Sequence, residues 1–180
     1  MAYVKDHGYV DAPSSPQQFK IIKGVTKAMT IAKKLGYKVI IISNQPGMAK
    51  GYYNKKTFDA IREKMHKEFS KDNAEIDDEF YCLHHPNAKL SRYRKKCHCR
   101  KPNIGLIKKA AKIYNLDIKK SYFIGDGMVD MEAAKKANCK SIFVGNINST
   151  VTELFNKKNI HPQYIARNLL DAINFLKNEV

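Results

Sequence analysis

The strongest constraint on the fold is the run YKVIIISN at positions 37–44. Its centre is continuous and β-branched rather than alternating, which predicts a strand buried on both faces of a parallel sheet. Parallel strands need a crossover between them, and helical patterns stand on either side. GVTKAMTIAKKLG (24–36) places Val25, Met29, Ile31, Ala32 and Leu35 near helical spacing and stops at a glycine suited to a C-cap. NKKTFDAIREKMHKEFSKD (54–72) sets Phe58, Ile61, Met65 and Phe69 on one stripe. DEFYC (78–82) predicts a short strand, 103–116 a helix, 121–126 a strand, 129–138 a helix and 141–145 another strand. Residues 166–180 predict a closing amphipathic helix, so the tail from 146 onward is expected to add a final strand and helix at the sheet's edge.

This alternation predicts an α/β fold with a doubly wound, mainly parallel sheet in a single domain over 1–180. The chain has 180 residues, 43% of them hydrophobic and 28% charged, in the range of a soluble globular protein. No apolar run approaches the roughly 20 residues of a membrane span, and the N-terminus lacks the pattern of a secretory signal. A cytoplasmic protein with no membrane partner is the expectation. The net charge of +16 invites an anionic partner. Its lysines are scattered over helix faces rather than gathered in a stripe, which weighs against nucleic acid.

In doubly wound sheets, ligands bind beyond the carboxyl ends of strands. Two polar strand ends qualify, ISNQPG after residues 39–42 and IGDGMVD after 122–124. Asp126 in a glycine turn, followed by Asp130, can hold a hard cation such as Mg2+. An Asp-Gly turn with Asp130 capping the next helix explains the same residues. The third feature is CLHHPNAKLSRYRKKCHCRKP at 82–102. Cys82, His84, Cys97 and Cys99 offer three thiolates and an imidazole, the donor set of a closed tetrahedral Zn2+ site. His85 and His98 are competing donors. A loop folded by such a metal, spanning 82–99, would fix Arg100 and Lys101 immediately after it, and a rigidly held lysine can neutralise a phosphate. Cys139 reads as a packing residue.

Taken in order, GYV, IISNQPGMAKGYY, CLHHP…CHCRKP and YFIGDGMVDMEAA resemble the haloacid-dehalogenase (HAD) superfamily of phosphatases. The branch they resemble is that of the heptose-bisphosphate 7-phosphatases and histidinol-phosphate phosphatases. The resemblance covers residues 3–145 and implies Mg2+-dependent phosphoryl transfer from a phosphorylated sugar; a monomer is the expectation. Ser43 resembles the family's phosphoryl-binding hydroxyl, and Asn44 and Gln45 match residues that shape that site. Lys101 looks like the lysine that holds nucleophile and phosphate together, and Arg100 like an arginine near the substrate. Asp126 looks like the Mg2+ ligand, with Asp130 as its supporting acid, and the four Cys/His residues match zinc ligands.

The family's first motif, a strand ending Asp-x-Asp-Gly-Thr, is not found at residues 1–10, and Asp6 lies too far along the pattern to replace it. That motif is expected upstream of Met1. A covalent mechanism needs its aspartate, so the 180-residue chain is expected to hydrolyse phosphate esters poorly, and strands beside the missing one would lack a partner. Gly127 stands where relatives carry a larger residue. Alternatives are a histidinol-phosphate phosphatase, and a non-catalytic zinc-stabilised relative or basic nucleic-acid-binding protein.

Overall fold

The structure is a computed structural model that describes residues 13–179 and the backbone of residues 3–4 and 10–11. The expectations for Asp6 and the absent Asp-x-Asp at 1–10 lie outside the described residues. Strands β1 (Tyr3–Val4) and β2 (Val10–Asp11) pair antiparallel. The chain divides into two compact units, the first ending at Cys97 and the second beginning at His98. Among the described residues, no helix is long and apolar enough to cross a membrane.

In the first unit, α1 (Val25–Lys34) leads into β3 (Ile40–Asn44). A short α2 (Gly47–Lys50) and the long α3 (Lys55–Lys71) then cross over to β4 (Asp78–Cys82). β3 and β4 are parallel, in register from Ile40↔Asp78 to Asn44↔Cys82. Asn54 starts α3 by accepting the Thr57 N–H at 2.9 Å, which satisfies one of the helix's orphan donors. The residues that α3 buries are Phe58, Ile61, Met65 and Phe69, the stripe expected from spacing. Three of them join Phe19, Met29 and Ala74 in one apolar cluster, with Val39 and Ile41 of the β3 segment against it. Expectation and structure differ at β3 itself. All five of its residues are half-buried, and β4 is its one strand neighbour among the described residues. Asp77, just before β4, clamps the α1–β3 connection. Its carboxylate accepts from Lys33 Nζ at 2.8 and 2.9 Å and from the Val39 N–H at 2.7 Å.

The second unit runs α4 (Gly105–Tyr114), β5 (Tyr122–Gly125), α5 (Met128–Ala137), β6 (Lys140–Val144), α6 (Ser149–Lys158), β7 (Tyr164–Ala166) and α7 (Leu169–Asn178). Its three strands form a parallel sheet in the order β5-β6-β7. Met131, Phe143, Phe155 and Ile160 make its core, with the rings of Phe143 and Phe155 edge to face at 5.3 Å. Helix α6 corrects the expected tail, which is helix, strand and helix rather than strand and helix. It buries Phe155 alone, too little apolar surface to show a stripe, and begins at Asn148, whose side chain accepts the Val151 N–H. Parallel strands joined through helices in both units place the chain in the α/β class.

Most helix ends share one pattern. Asn73, Asn115, Asn138 and Asn159 all adopt left-handed backbone, with φ from 49° to 56°. In each case the next N–H reaches back to a carbonyl in the last turn: Ala74 to Phe69, Leu116 to Ala111, Cys139 to Ala134 and Ile160 to Phe155. These are Schellman closures with asparagine in place of the usual glycine. Gly36 (φ 82°) ends α1 the same way, with Tyr37 bonded to Ala32, as its sequence position predicts.

Candidate functional site

Four soft donors converge after β4. One ligand atom from each of Cys82, His84, Cys97 and Cys99 lies within 4.8 Å of all the others. Cys82 Sγ stands 3.5 Å from Cys97 Sγ and 3.9 Å from His84 Nδ1. Thiolates about 2.3 Å from a tetrahedral zinc lie roughly 3.8 Å apart, so these spacings fit such an ion. None of the four cysteines in the chain is in a disulfide. Desolvation, then the charge of Lys95, holds His84 below the ordinary histidine pKa and keeps its imidazole in the neutral, ligating form. His85 and His98 stand outside this cluster, and His85 Nδ1 instead accepts the Asn87 N–H.

The loop between the ligand pairs is tied down from within. Arg94 donates through Nε to the Ala88 carbonyl at 2.7 Å and through its terminal nitrogen to the Lys89 carbonyl at 3.1 Å. The His85 N–H bonds the Tyr93 carbonyl. Beyond the cluster, the Gly105 N–H at the start of α4 donates to the His98 carbonyl at 2.8 Å. A Cβ at Gly105 would stand 2.5 Å from that oxygen and 3.3 Å from Cys99 N. Only glycine lets the helix start approach the loop this closely. Arg100 accepts the Asn103 N–H, which turns the chain just after the loop.

Lys101 and Asp130 meet in the second unit, Nζ 2.5 Å from Oδ1, with 10% and 8% of their side chains exposed. Oδ1 has no aligned hydrogen-bond donor among the described residues, so the contact is an ion pair set by distance rather than direction. Oδ2 accepts the Gly127 N–H at 3.0 Å, at the start of α5. Asp130 therefore supports the helix start, as the capping explanation anticipated, from the third helical position rather than the cap itself. It also packs on the end of β5, where a Cβ at Gly125 would lie 2.5 Å from Asp130 Cβ. Lys101 Nζ also sits 5.6 Å from the Phe123 ring centre. Asp126, at the carboxyl end of β5, is exposed.

In the first unit, Ser43 and Asn44 end β3 and Gln45 follows. Gln45 donates its main-chain N–H to the Cys82 carbonyl at 2.8 Å, joining this strand end to the first zinc-type ligand. Its side chain bonds Ser43 and Tyr53. Both strand ends singled out by sequence are thus carboxyl ends of parallel strands, one in each unit.

The HAD-hydrolase-like family profile matches residues 98–172. A D-glycero-β-D-manno-heptose-1,7-bisphosphate 7-phosphatase of Salmonella typhi is 36% identical over 133 residues, which are 74% of this chain and 69% of that protein. The chain belongs to the HAD phosphatases, in the family of the heptose-bisphosphate 7-phosphatases. The enzyme of the same name from Haemophilus ducreyi is 31% identical over 172 residues, covering 95% of this phosphatase and 91% of its own length. A solved D,D-heptose 1,7-bisphosphate phosphatase of B. bronchiseptica, complexed with magnesium and phosphate, superposes with a TM-score of 0.79 at 25% identity. It covers 93% of this chain and 89% of that one.

Several residues of this HAD phosphatase matter to the site yet gave no signal in sequence. Gly105 and Gly125 act through close approaches that spacing does not reveal. Arg94 looked like one more charge in a basic run. Tyr53 is one of two adjacent tyrosines in GYY, and its ring lies against Gly47, where a Cβ would be 2.3 Å from two ring carbons.

Proposed function

We propose that this HAD phosphatase removes the 7-phosphate of a heptose 1,7-bisphosphate, as a cytoplasmic monomer supplying precursors of surface heptose such as lipopolysaccharide core. The likeness to the Haemophilus ducreyi enzyme carries the reading, because it runs through 95% of the chain. In this proposal Ser43 donates a hydrogen bond to the phosphoryl group, with Asn44, Gln45 and Arg100 shaping the substrate's surroundings. Lys101, held by Asp130, neutralises phosphate charge. Asp126 is the ligand for Mg2+, with Asp130 supporting it, and the bound cation would offset charge on the phosphoryl oxygens. Phosphoryl transfer is mostly positioning and charge neutralisation, which suits these roles. Cys82, His84, Cys97 and Cys99 hold a structural Zn2+ that folds a loop too polar to bury itself.

A competition assay tests the substrate. Heptose 1,7-bisphosphate and histidinol phosphate are offered together with Mg2+, and both phosphate release and binding are measured. Selective loss of the heptose 7-phosphate supports the proposal. Preferential loss of histidinol phosphate overturns the substrate assignment. Binding of the heptose bisphosphate without release overturns the phosphatase reading and leaves a binding protein.

A further inference from the structure

The side chain of Gln45 is engaged at both ends within the first unit. Nε2 donates to Ser43 Oγ at 3.1 Å, and Oε1 accepts from the Tyr53 hydroxyl at 3.4 Å. A carboxamide has one accepting and one donating end. A phenol donating to the oxygen therefore commits the nitrogen to donate, and Ser43 Oγ is what receives it. A hydroxyl that accepts in this way keeps its own proton for a different partner.

Tyr53 is itself held in place. Its ring presses on Gly47 and stacks on Phe58, with centroids 6.2 Å apart and planes 4° from parallel. Burial raises its pKa, so the phenol remains a donor. A cavity of about 10 Å3 beside Gln45, Tyr53, Tyr81 and Arg62 has room for one water at most.

We infer that Gln45 and Tyr53 are a positioning pair for Ser43: Tyr53 orients the Gln45 amide, and the amide turns the Ser43 hydroxyl proton outward as a donor to a phosphoryl oxygen. Gln45 then acts through Ser43 and does not itself touch the substrate. The inference rests on the reading of Ser43 as a phosphoryl-binding hydroxyl. Its physical value is pre-organisation, since a free hydroxyl rotor divides itself among staggered positions, not all of which face the ligand.

The test is a mutant cycle read as affinity for inorganic phosphate in Mg2+ buffer, by calorimetry or 31P NMR. Ser43→Ala and Gln45→Met are each expected to weaken phosphate binding roughly three- to tenfold, the range of one hydrogen bond. Their combination should bind no more weakly than Ser43→Ala alone. Tyr53→Phe should weaken binding less than Gln45→Met, and again only when Ser43 is present. A merely structural role would weaken binding equally with or without Ser43, and additive losses of that kind overturn the inference. So does a Gln45→Met protein that binds phosphate as tightly as the parent. Should Gln45→Met fail to fold, Tyr53→Phe, which deletes one oxygen, decides by the same cycle. If Ser43→Ala leaves affinity unchanged, or the parent chain binds no phosphate, the reading of Ser43 is what fails.

Discussion

Lys101 and Asp130 form an ion pair in which each side chain keeps a tenth or less of its surface in contact with solvent. The same carboxylate bonds the Gly127 N–H and rests on Gly125. One acid thereby sets the lysine, the start of α5 and the end of β5, all within the second unit.

Breaking one side of such a pair is costly because it strands a charge away from water. Asp130→Asn keeps an acceptor for Gly127 but removes the charge that Lys101 faces. It is expected to lower unfolding stability by about 3 kcal/mol, measured as a shift in urea midpoint at constant slope. Adding Lys101→Met should recover most of that loss. A double variant no more stable than Asp130→Asn would show that the ion pair is not what the substitution disrupts.

Chelation should destabilise the protein if the Cys/His cluster holds zinc. A metal present at about a hundredfold above its dissociation constant contributes about 2.7 kcal/mol, or roughly 5–10 °C for a chain of this size. The thermal midpoint is expected to fall by that amount in a strong chelator. Zn2+ should restore it and Mg2+ should not, since thiolates favour the softer ion. Unchanged midpoints after verified metal removal would exclude a structural metal.

Gly105→Ala places a methyl group 2.5 Å from the His98 carbonyl oxygen, a backbone atom that cannot swing aside. Displacing that segment moves Cys99, the adjacent ligand. We expect a stability loss of about 1–3 kcal/mol together with about tenfold weaker zinc binding in competition with a chromophoric chelator. Wild-type affinity in this variant would show that the loop is not set by the helix start.

Asp77 gives a pH signature. Burial alone would raise its pKa, but hydrogen bonds from Lys33 and the Val39 N–H, helped by the charges of Lys33 and Lys38, prevail and hold it below the ordinary carboxylate value. A carboxylate depressed in the folded state stabilises fully above its unfolded pKa of about 3.9, and that contribution disappears as pH falls through the folded value. Asp77→Asn should therefore cost about 1–2 kcal/mol at pH 7 and progressively less below pH 4. Urea midpoints from pH 7 to pH 3 measure this. Parallel curves for the two proteins would mean that Asp77 does not titrate with folding.

Much of this was legible in the sequence where local pattern and burial coincide. The stripe from Phe58 to Phe69 is such a case, because α3 is long enough for its period to be unmistakable. The glycine after α1 and the donors at 82, 84, 97 and 99 are others. Helix α6 was not legible, since burying Phe155 alone leaves no stripe. Neither was the half-burial of β3, because a β-branched run reports the chemistry of a strand and not how many neighbours cover it. Gln45 could be matched to a motif, but spacing carries no trace of which way its amide points. That direction depends on Tyr53, eight residues on, and on the absence of a side chain at Gly47.

The asparagine closures bear on how the chain comes into being. Each turn at Asn73, Asn115, Asn138 and Asn159 is completed by a bond spanning five residues, so it needs nothing from the rest of the molecule. A chain emerging from the ribosome can end α3 at Asn73 before a single residue of β4 has been added. Such local contacts form early, before the slower pairing of distant strands. Punctuation of this kind fixes where each helix stops by contacts within the helix itself, whenever that helix forms, and spares the polypeptide from running one segment into the next.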